Sequence, residues 1–374
     1  MKIQYLLPFI AHLILAWPTS KLYAQSIETK SASKLVIDED WIRSKGGHAL
    51  RNQANMIVAV DLQHAWLTEG DLKKLAQLKQ LTSIDLSYTK VDDEALEQLK
   101  SLEHVRELKL HYAEYVSDVG ISHLKHWKHL EHLDVRGTKV TSTVFEHISN
   151  MGSLRSLDVG FSRVNDDFFE RLSELPRLEK LSFGGNKMSG TALPLLKLVP
   201  SLREVSVGGQ QRTDSGLWSV NVTDFNLNHL AELRGLRTLD LSGMPISDRG
   251  VAMLSKLSQL ETLDLSRTKV TSRGLAALAG LVELQHLKLC QTDGVDDTAF
   301  SVFQSYPKLQ VLELSECKIS AEGLSQFQAP KSLKQLYLAG TSLTAEQVES
   351  HRNRNRNYTL SWWPKTEIEK PSAP

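Results

Sequence analysis

The 374-residue chain carries 44 basic and 44 acidic residues, so its bulk charge points to neither nucleic acid nor a strongly anionic surface. With 41 % apolar residues and seven Trp it can bury a large core, which excludes a disordered chain. Two cysteines, Cys290 and Cys317, are too few for a disulfide scaffold.

The first residues, MKIQYLLPFIAHLILAWPTSKLYAQS, place Lys2 before an apolar run from Ile3 to Trp17 and a small residue at Ala24. That is the three-part plan of a secretory signal. Residues 1–24 are therefore expected to be cleaved after Ala24, giving a periplasmic or extracellular product without stable membrane insertion. The alternatives are an uncleaved membrane anchor and a plain cytosolic N-terminus. Export permits a disulfide between Cys290 and Cys317. It also gives meaning to the Asn-x-Thr sequons at Asn221 and Asn357 in a host that glycosylates. Residues 25–56 hold Trp41 and Ile42 but no repeat, and are expected to cap the apolar edge of the first repeat unit.

From Ile57 onward a single rhythm takes over. Val60, Ile84, Leu108, Leu133, Leu157, Leu181, Val205, Leu239, Leu263, Leu287, Leu312, Leu336 and Leu360 mark the first apolar position of thirteen short L-x-L cores. They are 24 residues apart except for two gaps of 25 and one of 34. A period of this size is the signature of a solenoid with one short strand per coil; the coils are numbered here from 1 (Val60) to 13 (Leu360). In each, alternation predicts a strand. A small polar column follows (Thr89, Thr138, Asn186, Thr268, Thr292, Cys317, Thr341), suited to bonding buried turn carbonyls. Ser117, Thr223, Ser247, Thr271, Ser320 and Thr344 are then expected N-caps, and leucines at helical spacing complete the unit. Both 25-residue gaps place their extra residue between strand and helix, in HYAEYV (111–116) and CQTDGV (290–295).

The pattern L-x-x-L-x-L-x-x-T-x-V-x-x-x-G-L-x-x-L-x-x-L resembles the leucine-rich repeat, in the 24-residue form related to ribonuclease-inhibitor-like and bacterial exported proteins. The resemblance covers residues 57–363. It implies a right-handed α/β solenoid, a horseshoe with a concave parallel sheet and helices on the convex side, in a family used mostly for binding. Residues 364–374 read as a flexible tail. Twelve steps of about 4.8 Å make a sheet on the order of 58 Å wide, a surface of macromolecular size.

Three features are candidates for function. The middle residue of each strand points outward and is acidic in seven coils: Asp61, Asp85, Asp134, Asp158, Asp240, Asp264 and Glu313. This ladder reads either as ordinary filler paired with Arg and Lys or as a face for a basic or polar partner. Past the strands, Trp66, Tyr88, His111, Tyr112, Tyr115, Arg136 and Phe161 gather at the rim of coils 1–5, with the composition of interface anchors. Some of these rings would alternatively pack over loops. Coil 7 is ten residues longer than the period, and its irregular segment at 208–221 contains Gln210, Arg212 and Trp218 and forms either a functional loop or neutral drift.

Enzyme signatures are missing from the sequence. His123, His126 and His129 lack the carboxylate of a zinc spacing, and no nucleophile elbow, P-loop or dinucleotide fingerprint occurs. No metal or cofactor is expected. The expectation is a non-enzymatic binding module for a protein or glycan, not nucleic acid. The alternatives are a subunit of a larger envelope assembly and an enzyme with an atypical concave site.

Overall fold

The computed structural model describes residues 33–364. The expected signal segment lies outside the described residues, as does all of the expected tail except Pro364. The repeats build one fourteen-stranded sheet in which strands follow one another in chain order. Thirteen of them are parallel, and the twelve steps between them join the apolar marks in register, Val60 to Ile84 through to Leu336 with Leu360. Coil 7 keeps this register despite its insertion, because Val205 pairs directly with Leu239. The result is an open solenoid with one apolar core running its full length. The convex side differs in detail from the expected row of helices. Short α-turns such as Asp93–Glu97 and Ser272–Leu275 alternate with 3-10 runs such as Asp166–Glu174 and Leu193–Leu198. Helices this short do not persist alone, so packing on the strand layer holds them.

Where the chain bends after each strand, the small polar column meets the buried carbonyls. Thr89, Thr138, Thr268 and Thr341 are buried, and each donates its hydroxyl to the carbonyl three residues back at 2.6–2.7 Å. Asn186 reaches two carbonyls, Phe183 at 2.9 Å and Val159 of the preceding coil at 2.8 Å. Ser117, Ser247, Ser320 and Thr344 cap helices through their side chains, Thr344 in a capping box with Gln347. Thr223 does not: its N–H donates to the Asn226 carboxamide oxygen at 2.8 Å, and Asn226 holds the N-cap position before Leu227–Ala231.

The coils are clamped to one another by a second column of carboxylates that the sequence reading did not single out. Asp248, at the first helical position of coil 8, accepts both the backbone N–H and the hydroxyl of Thr271 in coil 9 at 2.7 Å. Asp93 does the same for Ser117, Asp118 for Thr141, Asp224 for Ser247 and Asp297 for Ser320, while Asp166 accepts the Ser189 N–H. This clamp explains the glycine of the G-L pair. A Cβ on Gly274 would stand 2.1 Å from the Asp248 carboxylate, and Gly120, Gly250 and Gly323 face Asp93, Asp224 and Asp297 in the same way.

A third ladder runs along the strand ends. Asp61, Asp85, Asp134, Asp158, Asp240 and Asp264 each accept the backbone N–H two residues on, at 2.7–3.1 Å, so each carboxylate ends its strand. Their second oxygens face Lys109 beside Asp85, His111 beside Asp134, Arg136 beside Asp158 and Lys288 beside Asp264. Crowding persists nevertheless. Burial, and then the neighbouring Asp134, push the Asp158 carboxyl up from 3.8 to about 6; burial and Asp240 raise that of Asp264.

At the N-terminal end, helix Ser33–Ser44 leads into strand His48–Arg51, which pairs antiparallel with Ile57–Asp61 and covers its free side. Ile42 is fully buried, and Lys45 pairs with Asp71 at 2.8 Å. At the other end the Arg352 guanidinium donates to the Leu360 carbonyl in the last strand, an acceptor that would otherwise point off the sheet edge.

Two measurements test these ladders. In an isolated helix Gly→Ala stabilises by about 1 kcal/mol. Here Gly274→Ala is expected to destabilise by roughly 2–4 kcal/mol in urea unfolding, because its methyl displaces Asp248 from Thr271. Adding Asp248→Ala should then cost less than it does alone, and a stabilising Gly274→Ala would refute the clamp. The second test uses Asp158, whose folded-state pKa lies above its unfolded value. Its contribution to stability is therefore complete below about pH 3.8 and lost as the pH rises through about 6. Asp158→Asn keeps the acceptor for the Gly160 N–H. It should match the native chain at pH 4 and exceed it by on the order of 1–3 kcal/mol at pH 7. Parallel pH profiles would overturn this account.

Candidate functional site on the strand-end rim

One residue in every coil from 1 to 12 lies in the left-handed region. These are His64, Tyr88, Tyr112, Gly137, Phe161, Gly185, Gly209, Gly243, Arg267, Gln291, Glu316 and Gly340, with φ between 52° and 106°. The reason is structural. This backbone turn aims the N–H at the next coil and extends the sheet ladder by one rung, as in Tyr88 to the His111 carbonyl at 2.7 Å and Arg267 to the Cys290 carbonyl at 2.8 Å. Glycine adopts the conformation without strain, whereas a side chain there costs about 1–2 kcal/mol. Four of the first five coils nevertheless carry an aromatic ring at this position.

These rings form two groups. His64 stacks on Tyr88 with centroids 4.7 Å apart and planes 11° from parallel, and Tyr88 stacks on Tyr112 at 5.8 Å and 16°. His111 packs edge-on against Tyr112 at 4.9 Å, and its Nδ1 lies 3.2 Å from the Asp134 carboxylate. Burial, then Tyr112 and Asp134, raise the Tyr88 hydroxyl above its ordinary value of 10. The stack ends on Gly137, where a Cβ would stand 2.4 Å from the Tyr112 ring. The second group is Phe161 under the Arg136 guanidinium, 4.2 Å from the ring centroid. Phe161 is half-buried against Gly185 and Gly209, whose missing side chains make room for it.

Trp66 and Tyr115 are set apart from the stack, in a neighbouring row further along the turn. Trp66 is 72 % exposed with the Lys90 ammonium 5.1 Å from its ring centroid, and the Lys139 ammonium lies equally close to Tyr115. The sequence reading selected these two rings but not their lysines. Lysines at alternate marks of a 24-residue period were the available signal.

The insertion folds as a small antiparallel hairpin, Gln211–Thr213 with Gly216–Trp218. It is tied to the rim by Gln211, which donates to the Gly185 carbonyl at 2.7 Å, and by Gln210, which donates to the Gly243 carbonyl at 3.0 Å. Trp218 is half-buried and its indole N–H closes the hairpin on Ser215 at 2.9 Å, while Arg212 is exposed. Leu217 beside it is exposed, and Phe225, just beyond the insertion, is 93 % exposed. Neither was selected from the sequence, since a single apolar residue in an irregular segment has no periodic signal.

The disulfide entertained for Cys290 and Cys317 is not formed; both are free thiols. Cys317 sits in the buried turn column, where its Sγ donates to the Leu289 carbonyl at 2.9 Å, away from the concave side on which Cys290 lies. Burial pushes both thiols up to about 12. Among the described residues, no group of three or more His, Cys, Asp or Glu side chains is placed to hold a metal ion. No helix among them is long and apolar enough to cross a membrane.

The leucine rich repeat family model matches residues 257–279 and 307–327. No curated protein matches the chain in sequence. Among solved structures, the chain is similar to the internalin InlF of Listeria monocytogenes, at 16 % identity over 89 % of this chain and 88 % of that one, with a TM-score of 0.53. A leucine-rich-repeat protein of Leptospira interrogans aligns at 19 % identity over 77 % of this chain and 74 % of its own, with a TM-score of 0.48. Internalin C2 of Listeria monocytogenes aligns at 21 % over 57 % and 83 %, with a TM-score of 0.42. The repeat period, the unbroken parallel register and the family match to two of its coils agree: the chain is a leucine-rich-repeat solenoid.

Proposed function

We propose that this chain is an extracytoplasmic, non-enzymatic binding module that takes a protein partner along the strand-end rim of coils 1–5. The observation that carries the reading is the occupancy of the left-handed column. Twelve coils require the same backbone turn, and glycine satisfies it in five of them, yet coils 1, 2, 3 and 5 hold His64, Tyr88, Tyr112 and Phe161 there. Coils 9–11 also hold side chains there, Arg267, Gln291 and Glu316, but no ring; that rings gather in coils 1–5, where glycine would adopt the turn without strain, supports recognition.

The chemistry of the rim supports a protein partner. Tyr, His and Arg side chains stand together on a rigid sheet, a composition that favours interface anchors. The faces of Tyr88 are covered by His64 and Tyr112, so the ring edges and the hydroxyl are what a partner meets. The hairpin at Gln211–Trp218, fixed beside Phe161, continues the surface with Leu217 and Arg212. The leucine-rich-repeat fold is generally used for protein interaction, which agrees with this use. Export rests on the N-terminal pattern of Lys2, the apolar run and Ala24.

The left-handed column provides a test that separates binding from folding. The double variant Tyr88→Gly, Tyr112→Gly loses ring stacking but relieves strain. Its unfolding free energy should stay within about 1 kcal/mol of the native chain. Capture of partner protein from host extracellular material, read by native pull-down and mass spectrometry, should fall by about tenfold or more. A variant that folds normally and captures the same partner undiminished would sink the rim reading.

A further inference from the structure

Beside the aromatic stack runs a second row, Trp66, Lys90, Tyr115, Lys139, Arg163 and Lys187, one residue from each of coils 1–6. All six are exposed, and the four cations form no ion pair among the described residues. In a chain whose charges balance overall, such a row is a segregation of charge. Of the acids in the same turns, Asp92 accepts the Ala95 N–H at 2.9 Å, Asp118 holds Thr141, Asp166 accepts the Ser189 N–H, and Glu114 adjoins Tyr115. Short bridges from Asp92 to Tyr115 and from Thr141 to Arg163 stack the turns, so the row has a fixed spacing of one coil. Five such steps of about 4.8 Å give a track roughly 24 Å long.

We propose that this row binds a linear acidic polysaccharide carrying carboxylate or sulfate groups. The inference rests on the binding-module reading but uses side chains distinct from the aromatic stack. Two observations select a polysaccharide. The first is the alternation of ring and cation over the first four residues. Lys90 lies over Trp66 and Lys139 over Tyr115, each 5.1 Å from the ring centroid, so the ammonium groups are held in place next to apolar faces. An acidic sugar offers the matching pair, a flat C–H face for the ring and an anion for the ammonium. The second is that backbone donors within the row are already used in stacking the coils. The Lys139 N–H is bound to the Val116 carbonyl and the Arg163 N–H to the Val140 carbonyl, both at 2.8 Å. An extended peptide that adds through main-chain hydrogen bonds therefore finds these two donors already taken. A polysaccharide held by ring stacking and ion pairs needs only the side chains of the row.

The test measures binding of the full chain to four immobilised probes: polygalacturonate, heparin, neutral dextran and poly-L-glutamate. Polygalacturonate or heparin should be retained and should be released as salt increases; whichever binds more tightly identifies the carboxylated or sulfated class. Dextran should not bind, and poly-L-glutamate should bind more weakly than the retained polysaccharide at equal charge. K90Q/K139Q/R163Q/K187Q should weaken binding by about tenfold or more while the circular dichroism spectrum is unchanged. W66A/Y115A should weaken it several-fold with all cations retained. The rim variant Y88G/Y112G should bind the polysaccharide as the native chain does, so failure of the rim reading and failure of this one are separable. Undiminished binding by the quadruple variant, retention of neither anionic polysaccharide, equal retention of dextran, or poly-L-glutamate binding as tight as the polysaccharide would each overturn the proposal.

Discussion

The carboxylate of one coil holding the helix cap of the next, as Asp248 holds Thr271, is the contact on which the regularity of this molecule depends. Apolar burial pulls the coils together but has no direction, and it would tolerate small rotations between neighbours. Two charge-assisted hydrogen bonds to one backbone N–H and one hydroxyl do not. They fix where each helix begins relative to the one before it, and glycine at the third helical position lets the carboxylate approach. With the helix starts fixed on one side and the strand ladder on the other, each coil is superposed on the last. Rows of side chains then become straight rows on the surface, and a chemical pattern can extend over many coils.

The same mechanics account for how the chain absorbs irregularity. An extra residue in coil 3 or coil 10 lengthens the turn between strand and helix. In both coils a large ring, Trp127 or Tyr306, lies fully buried at the end of the helical segment, where coil 9 has a leucine at Leu281. A longer perimeter encloses a wider cross-section, and the larger side chain fills it. The ten-residue insertion of coil 7 is handled differently. It leaves the turn as a separate hairpin, so Val205 and Leu239 pair as though nothing lay between them.

Much of the scaffold was legible in the sequence because it rests on local rules repeated many times. Leucines at strand and helix spacing, the Thr89-type turn column and the Thr344–Gln347 box each follow from nearest-neighbour chemistry, and repetition averages away exceptions. Thr223 shows the limit: its place in the period predicts an N-cap, but the Asn226 carboxamide takes its N–H and Asn226 itself precedes the helix. The acidic strand residues were legible as a row, but their role was not. A sequence shows that Asp134 and Asp158 face outward; it does not show that each carboxylate closes its own strand on an N–H two residues later.

The amino-acid sequence by itself determined the number of coils, the register of their strands and which residues lie inside, since these depend on period and polarity alone. Tertiary structure decided everything that depends on contacts between coils. Only there does a tyrosine at position 88 acquire a left-handed backbone, because the N–H of that residue must turn to meet a carbonyl in the following coil. Only there do Lys90 and Trp66, 24 residues apart, become a ring with a cation over it. The physical reason is the range of the forces involved. Hydrophobic periodicity is written along the chain, whereas strain, stacking and charge alignment exist between segments that meet only after the solenoid has closed.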